Sequence, residues 1–319
     1  METQAQTKQF AITNRRRRSD FAKVRAFFFA AVFITFVANG EDFCKTTTRS
    51  AYSACSYEAH GDLQIALGKA ANLSDPVARN AARKQAMVDY KDALAECKDQ
   101  REARQAVCER LGSAAYDPLI APSNFVSTIN NPFYPLVPGT TFYYLGGSES
   151  NVVSITHNTK LILGVTCIEV HDVSYINGQL EEDTLDWFAQ DTNGNVWYMG
   201  ENSRQIDGGL VVGVEGSWTA GVDGAKPGII MKAAPAIGDF YRQEFLLNTA
   251  EDMAEVASLT ESVTVPNGSY NNCLKTEETS PLEPEALEHK FYAMGIGNVL
   301  IVDETTGERL ELVNVTTGN

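Results

Sequence analysis

From residue 132 onward, apolar and polar positions alternate with a period near two, and aromatic or β-branched runs are punctuated by Gly, Asn and Pro. The pattern predicts strands over 140–146, 150–158, 160–173, 184–190, 195–200, 204–213, 239–247, 261–265, 270–277, 286–293, 297–303 and 309–315. The densest stretch is Glu182 to Glu201, EDTLDWFAQDTNGNVWYMGE, where two aromatic runs flank Asn193-Gly194. Asn-Gly tolerates the positive φ values of a type I′ turn, so this reads as a tight hairpin. A second Asn-Gly, Asn177-Gly178, lies one strand earlier and extends the hairpin to a three-strand meander from Val165 to Glu201. Gly216 to Ala236 is the one long piece read as a loop.

Upstream the period changes. Residues 76–112 are rich in Ala, Lys, Glu, Arg and Gln, as a solvated helix requires. Cys44 and Cys55 are eleven apart, as are Cys97 and Cys108, and the cross-pairs Cys44/Cys108 and Cys55/Cys97 are both centred on position 76. Eleven residues are about three helical turns, so each pair shares a face. An antiparallel hairpin turning at Asn72-Leu73-Ser74-Asp75-Pro76, with Ser74 or Asp75 as cap and Pro76 in the first turn, predicts disulfides Cys44–Cys108 and Cys55–Cys97. A four-thiolate metal site fails because the pairs would stand about 16 Å apart. The fold class expected is α+β: a disulfide-stapled hairpin over 41–115, a linker over 116–131, and a large curved antiparallel sheet or half-barrel over 132–319.

The start of the chain bears on location. Arg15 to Arg18 precede a thirteen-residue apolar run, Ala26 to Ala38, too short for a comfortable bilayer span and suited to a signal-peptide core. Residues 1–40 therefore read as a signal peptide, with an uncleaved anchor as the alternative and the only route to a membrane. Either places the remainder in the periplasm or outside the cell.

Charge narrows the partners. The formal charge is −15; setting aside the first forty residues, with seven basic and two acidic side chains, leaves 19 basic against 39 acidic. Such a surface repels phosphate backbones and argues against nucleic acid.

PFYPLVPGTTFYYLG, IGDFYRQEF, VTVPNGSYNNCLKT and EHKFYAMGIGNVL, together with the 182–201 stretch, resemble a family of secreted bacterial β-domain proteins of unknown function. The shared features are a Gly-led aromatic first strand, a Val-Pro-x-Gly entry ending in Cys-Leu-Lys, and a closing Tyr-Ala-x-Gly-x-Gly; Met294 stands where such proteins often have Pro. The resemblance covers about residues 132 to 302 and implies an extracytosolic β-domain, similar in fold to the half-barrels of periplasmic lipoprotein carriers, with an apolar ligand in the concave face.

Candidate chemistry depends on register. If both Asn-Gly turns are two-residue loops without bulges, Glu169, Asp186 and Glu201 form one row with His171 nearby. Like charges in a row destabilise a sheet, so this row is a candidate cation site, Ca²⁺ being the natural ion. A register slipped by one residue would disperse it. Asp191-Thr-Asn193-Gly-Asn195 resembles the start of a calcium loop, but its glycine comes two positions early, and a hairpin turn is the better reading. Cys167 and Cys273 fall in predicted strands and are expected to form a third disulfide. No metal-spaced histidines and no nucleophile, zinc-protease or phosphate-loop motif occur. The expectation is a non-enzymatic binding protein, with no cofactor other than Ca²⁺, holding an apolar small molecule or lipid, or another envelope protein. The alternatives are a surface assembly protein using the hairpin as an arm, and a hydrolase using paired carboxylates.

Overall fold

The computed structural model describes residues 42–318; the expected signal peptide lies outside them. Two helices open the described chain. α1 (Phe43–Ala71) is capped by Asp42, whose carboxylate accepts the Lys45 N–H. α2 (Pro76–Leu111) is capped by Asp75, which accepts from Val77 and Ala78, with Pro76 in the first position and Gly112 (φ 88°) ending the helix. Small residues (Ala51, Ala59, Ala70, Ala86) fill the buried seam and let the helices approach closely. The two predicted disulfides, Cys44–Cys108 and Cys55–Cys97, fasten it, each with Cα atoms 5.7 Å apart.

The rest is an antiparallel sheet. Its main strands are β1 (Thr140–Gly146), β2 (Glu149–Ile162), β3 (Val165–Ile176), β4 (Gln179–Asp191), β5 (Val196–Asp207), β6 (Lys226–Met231), β7 (Phe240–Arg242), β8 (Met253–Val265), β9 (Gly268–Ser280), β10 (Glu283–Ala293), β11 (Gly297–Asp303) and β12 (Arg309–Thr317). Each pairs with its neighbour in sequence, except across the β6–β7 seam, and β12 pairs with β1. β6 and β7 meet indirectly. Phe240–Arg242 pairs with β8, and then Glu244–Phe245 switches to pair with β6. The sheet is thus nearly closed into a barrel, which removes most of the edge an open sheet would expose.

Alternation gives the barrel two apolar layers. Phe142, Ile155, Val170, Phe188, Leu274 and Leu312 pack the interior. Cys167, Trp187, Ala189 and Met199 point outward and would be exposed without cover. The segment read from sequence as a loop, Gly216 to Ala236, supplies it. Trp218, Ala220 and Ala225 fold over that outer face, Trp218–Thr219 pairs with Glu201 and Gly200, and Lys226 onward becomes β6. Gly200 (φ 149°) is required there, because a Cβ would come within 2.7 Å of the Trp218 carbonyl oxygen.

The expected linker is also part of the wall. Phe125 and Val126 pair with Asp191 and Gln190, and a short hairpin (Ile129–Asn131 with Tyr134–Leu136) puts Ile129 and Leu136 into the interior core. The helical hairpin is clamped at its foot. The Arg104 guanidinium donates two-pronged to Glu251 (2.9 and 2.7 Å), with both side chains almost fully buried, and Gln100 donates to the Leu282 carbonyl.

Candidate functional site

Asn177 (φ 52°) and Gly178 (φ 76°) form the expected two-residue turn. A bulge at Ser174–Tyr175 then slides the β3–β4 register by one residue. Val170 lies opposite Asp186, while Glu169 lies opposite Trp187 and His171 opposite Leu185. Around Asn193-Gly194 only Gly194 has positive φ, and the turn is wider than type I′; a bulge at Met199–Gly200 offsets that, so Asp186 still faces Glu201.

The expected cation row is therefore corrected. Asp186 and Glu201 are neighbours on the inner face. Glu169 is on the outer face, accepting from Thr156 and Asn158, and His171 contacts Asp183 at 2.9 Å. Among the described residues no three His, Cys, Asp or Glu side chains are grouped to hold a metal ion. Asp191 is filled by protein donors, the N–H groups of Asn193 and Asn195, the Asn195 amide and the Trp197 indole, as a turn-capping residue is. The third disulfide is corrected too. Cys167 and Cys273 are free buried thiols packed in two different apolar clusters.

The inner face instead assembles a site that the sequence did not single out. A cavity of about 180 Å³ lies in the barrel between the Tyr134–Leu136 arm of the short hairpin and strands β1, β2, β3, β10 and β11. Its wall is mostly apolar and aromatic (Phe142, Tyr144, Val153, Ile155, Ile230, Tyr292), and Asp172, Lys290 and Asn151 converge on it. Cavities of this chemistry, apolar with a few placed polar groups, are how small-molecule sites are built. Burial pushes the Asp172 carboxyl up to about 6, with Asn151 hydrogen bonding opposing the shift. Burial works against the Lys290 charge, but Glu278 at 2.8 Å and Glu288 at 3.3 Å more than offset it and hold its pKa well above the usual lysine range.

Lys290 also borders a second, acidic cavity of about 430 Å³ with Glu182, Glu201, Glu244, Asp252 and Glu288 on its wall. Between the two, the Tyr198 hydroxyl lies 2.5 Å from Asp186 and 3.0 Å from Glu201. Burial drives the Asp186 and Glu201 carboxyls upward, against the Tyr198 hydrogen bond. Alternation along β10 (Glu288, Lys290, Tyr292) could have marked Lys290 as inward from sequence, and alternation along β3 (Ile168, Val170, Asp172) could have marked Asp172.

What the fold defines is a disulfide-stapled helical hairpin clamped to a nearly closed antiparallel barrel with a small mixed cavity inside. No family model and no curated protein matches the chain. Among solved structures, a candidate lipoprotein from Parabacteroides distasonis is similar at a TM-score of 0.28 and 12% identity, over 58% of this chain and 98% of that one. A likeness of that size carries no argument about fold or ligand. The nearly closed sheet fits the curved β-domain that the sequence resemblance implied. The two disulfides are consistent with an envelope or extracellular setting.

Proposed function

We propose that this is a non-enzymatic binding protein of the periplasm or cell exterior that holds a small molecule inside its barrel. The observation carrying this reading is the interior cavity, about 180 Å³ of mostly aromatic and aliphatic wall on which Asp172 and Lys290 converge. A void of about 150 Å³ is enough for a benzene-sized ligand. The cargo is therefore ring-sized and not a lipid chain, because the adjoining space of about 430 Å³ is walled by carboxylates. Native mass spectrometry of the protein from its own host, before and after denaturation, tests this. A released small mass is expected. A bare chain whose mass is unchanged on adding ring-sized probes would contradict it.

A second reading is favoured by the distal half of the hairpin, which presents Tyr57, Ile65 and Val77 to solvent beyond Cys55–Cys97. In that reading the arm docks another envelope protein, and the protein elutes in a larger assembly when extracted gently.

A further inference from the structure

The polar groups on the wall of the barrel cavity are an unbalanced set, and the imbalance identifies a ligand class. On the acceptor side, Asn151 Oδ1 and Asn298 Oδ1 are buried with no hydrogen-bond partner, and Asp172 brings a carboxylate. On the donor side, the Asn151 amide is directed at Asp172, Tyr134 brings a hydroxyl, and Lys290 is the cation at the cavity, already held by Glu278 and Glu288. The Tyr144 hydroxyl is spent on the Asn298 carbonyl and the Tyr292 hydroxyl on Glu278. Buried acceptors without donors are costly, and a buried carboxylate without a counter-charge more so. The cavity therefore keeps two buried acceptors without donors and a carboxylate with no cation of its own.

The wider field has the same sign. Glu201, Glu278 and Glu288 line the adjoining acidic cavity, where Lys290 is paired with Glu278 and Glu288. Residues 113–318 as a whole carry 28 acidic and 8 basic side chains, whereas the helical hairpin, 42–112, carries 10 and 11. The acidity thus belongs to the barrel, which repels organic acids and concentrates organic cations.

We infer that the ligand of this cavity is a small primary amine with an apolar, ring-sized body, its ammonium donating to Asp172 and the two asparagine amide oxygens while its body packs on Tyr134, Phe142 and Ile155. This rests on the proposed binding function and specifies it. The ammonium supplies three donors and one positive charge, which is the complement the wall lacks. An anion would face Asp172 with Lys290 already paired, and a neutral ring would leave the acceptors unmet.

Isothermal titration of the full disulfide-bonded chain with benzylamine, benzyl alcohol and benzoate, matched in shape and differing in charge, tests it. Benzylamine is expected to bind about tenfold or more tighter than benzyl alcohol, with benzoate not binding. Asp172→Asn is expected to lower benzylamine affinity by about tenfold or more and to leave benzyl alcohol unchanged. Val153→Trp, which fills the cavity from the position paired with Asp172, is expected to abolish binding of all three probes. Benzyl alcohol binding as tightly as benzylamine, or benzylamine indifferent to Asp172→Asn, would overturn the amine assignment and leave the cavity reading intact. Binding that persists in Val153→Trp, or no binding of any probe to the parent chain, would overturn both.

Discussion

Tyr198 has one phenolic hydrogen and touches two carboxylates, Asp186 and Glu201, so one of the two carboxylates must take up a proton to complete the contact. Burial favours this by raising Asp186 well above the usual carboxylate range. The consequence is a stability that runs opposite to ordinary acid denaturation. Asp172 titrates at about 6 when folded, against about 4 for an unfolded aspartate. Between those pH values the folded chain binds protons that the unfolded chain releases, so this contribution is fully present below pH ~4 and is lost as pH rises through ~6. Asp186 and Glu201, shifted the same way, extend the loss upward. The urea midpoint is expected to be higher at pH 5 than at pH 8, and Asp186→Asn is expected to narrow that gap. A midpoint that rises from pH 5 to pH 8 in the parent would contradict the burial of these groups. Little of this was legible in the sequence. Asp186 and Glu201 were paired correctly because a wider turn and a bulge cancel, whereas the Ser174–Tyr175 bulge, which carries no residue signature, exchanges the faces of β4 relative to β3 and so separates Glu169 from Asp186.

Among the elements, the helical hairpin was the most legible, because Cys spacing, a capped turn and helical period agree on one geometry. Its attachment was not, because the ion pair at its foot joins Arg104 to Glu251 across 147 positions with no pattern linking them. With side chains 4% and 2% exposed, breaking this pair strands a buried charge. Arg104→Ala is expected to cost about 3–5 kcal/mol in urea unfolding and to raise hydrogen exchange at the base of α2. A cost below about 1 kcal/mol would mean the pair is solvated. The free thiols give a second check. In denaturant without reductant, iodoacetamide is expected to modify two cysteines, Cys167 and Cys273, and none in the native state. No modification in denaturant would restore the third disulfide expected from composition and compartment, a rule blind to where in the fold each thiol packs.

At the scale of the whole molecule, near-closure of the barrel is what makes an interior. The seam at β6 is tight. A Cβ at Gly228 would land on the Gln243 backbone where the chain passes from β8 to β6. Gly228→Ala is expected to destabilise by about 1–3 kcal/mol and to admit probes or protease at that seam, read by limited proteolysis between β6 and β8. Unchanged stability and cleavage would show that the seam is not closed. Closure also explains why the strands were found more readily than the architecture. Alternation marks each strand locally, but β6 was hidden in a Gly-rich segment, and the pairing of β12 with β1 joins opposite ends of the domain.

The most direct test of a ligand-holding barrel is a crystal structure of the protein purified from its own host without exchange of its contents. The account predicts non-protein density of ring size in the cavity between Tyr134, Asp172 and Ile155, with Lys290 still paired to Glu278. A collapsed cavity, or one holding ordered water alone, would contradict it.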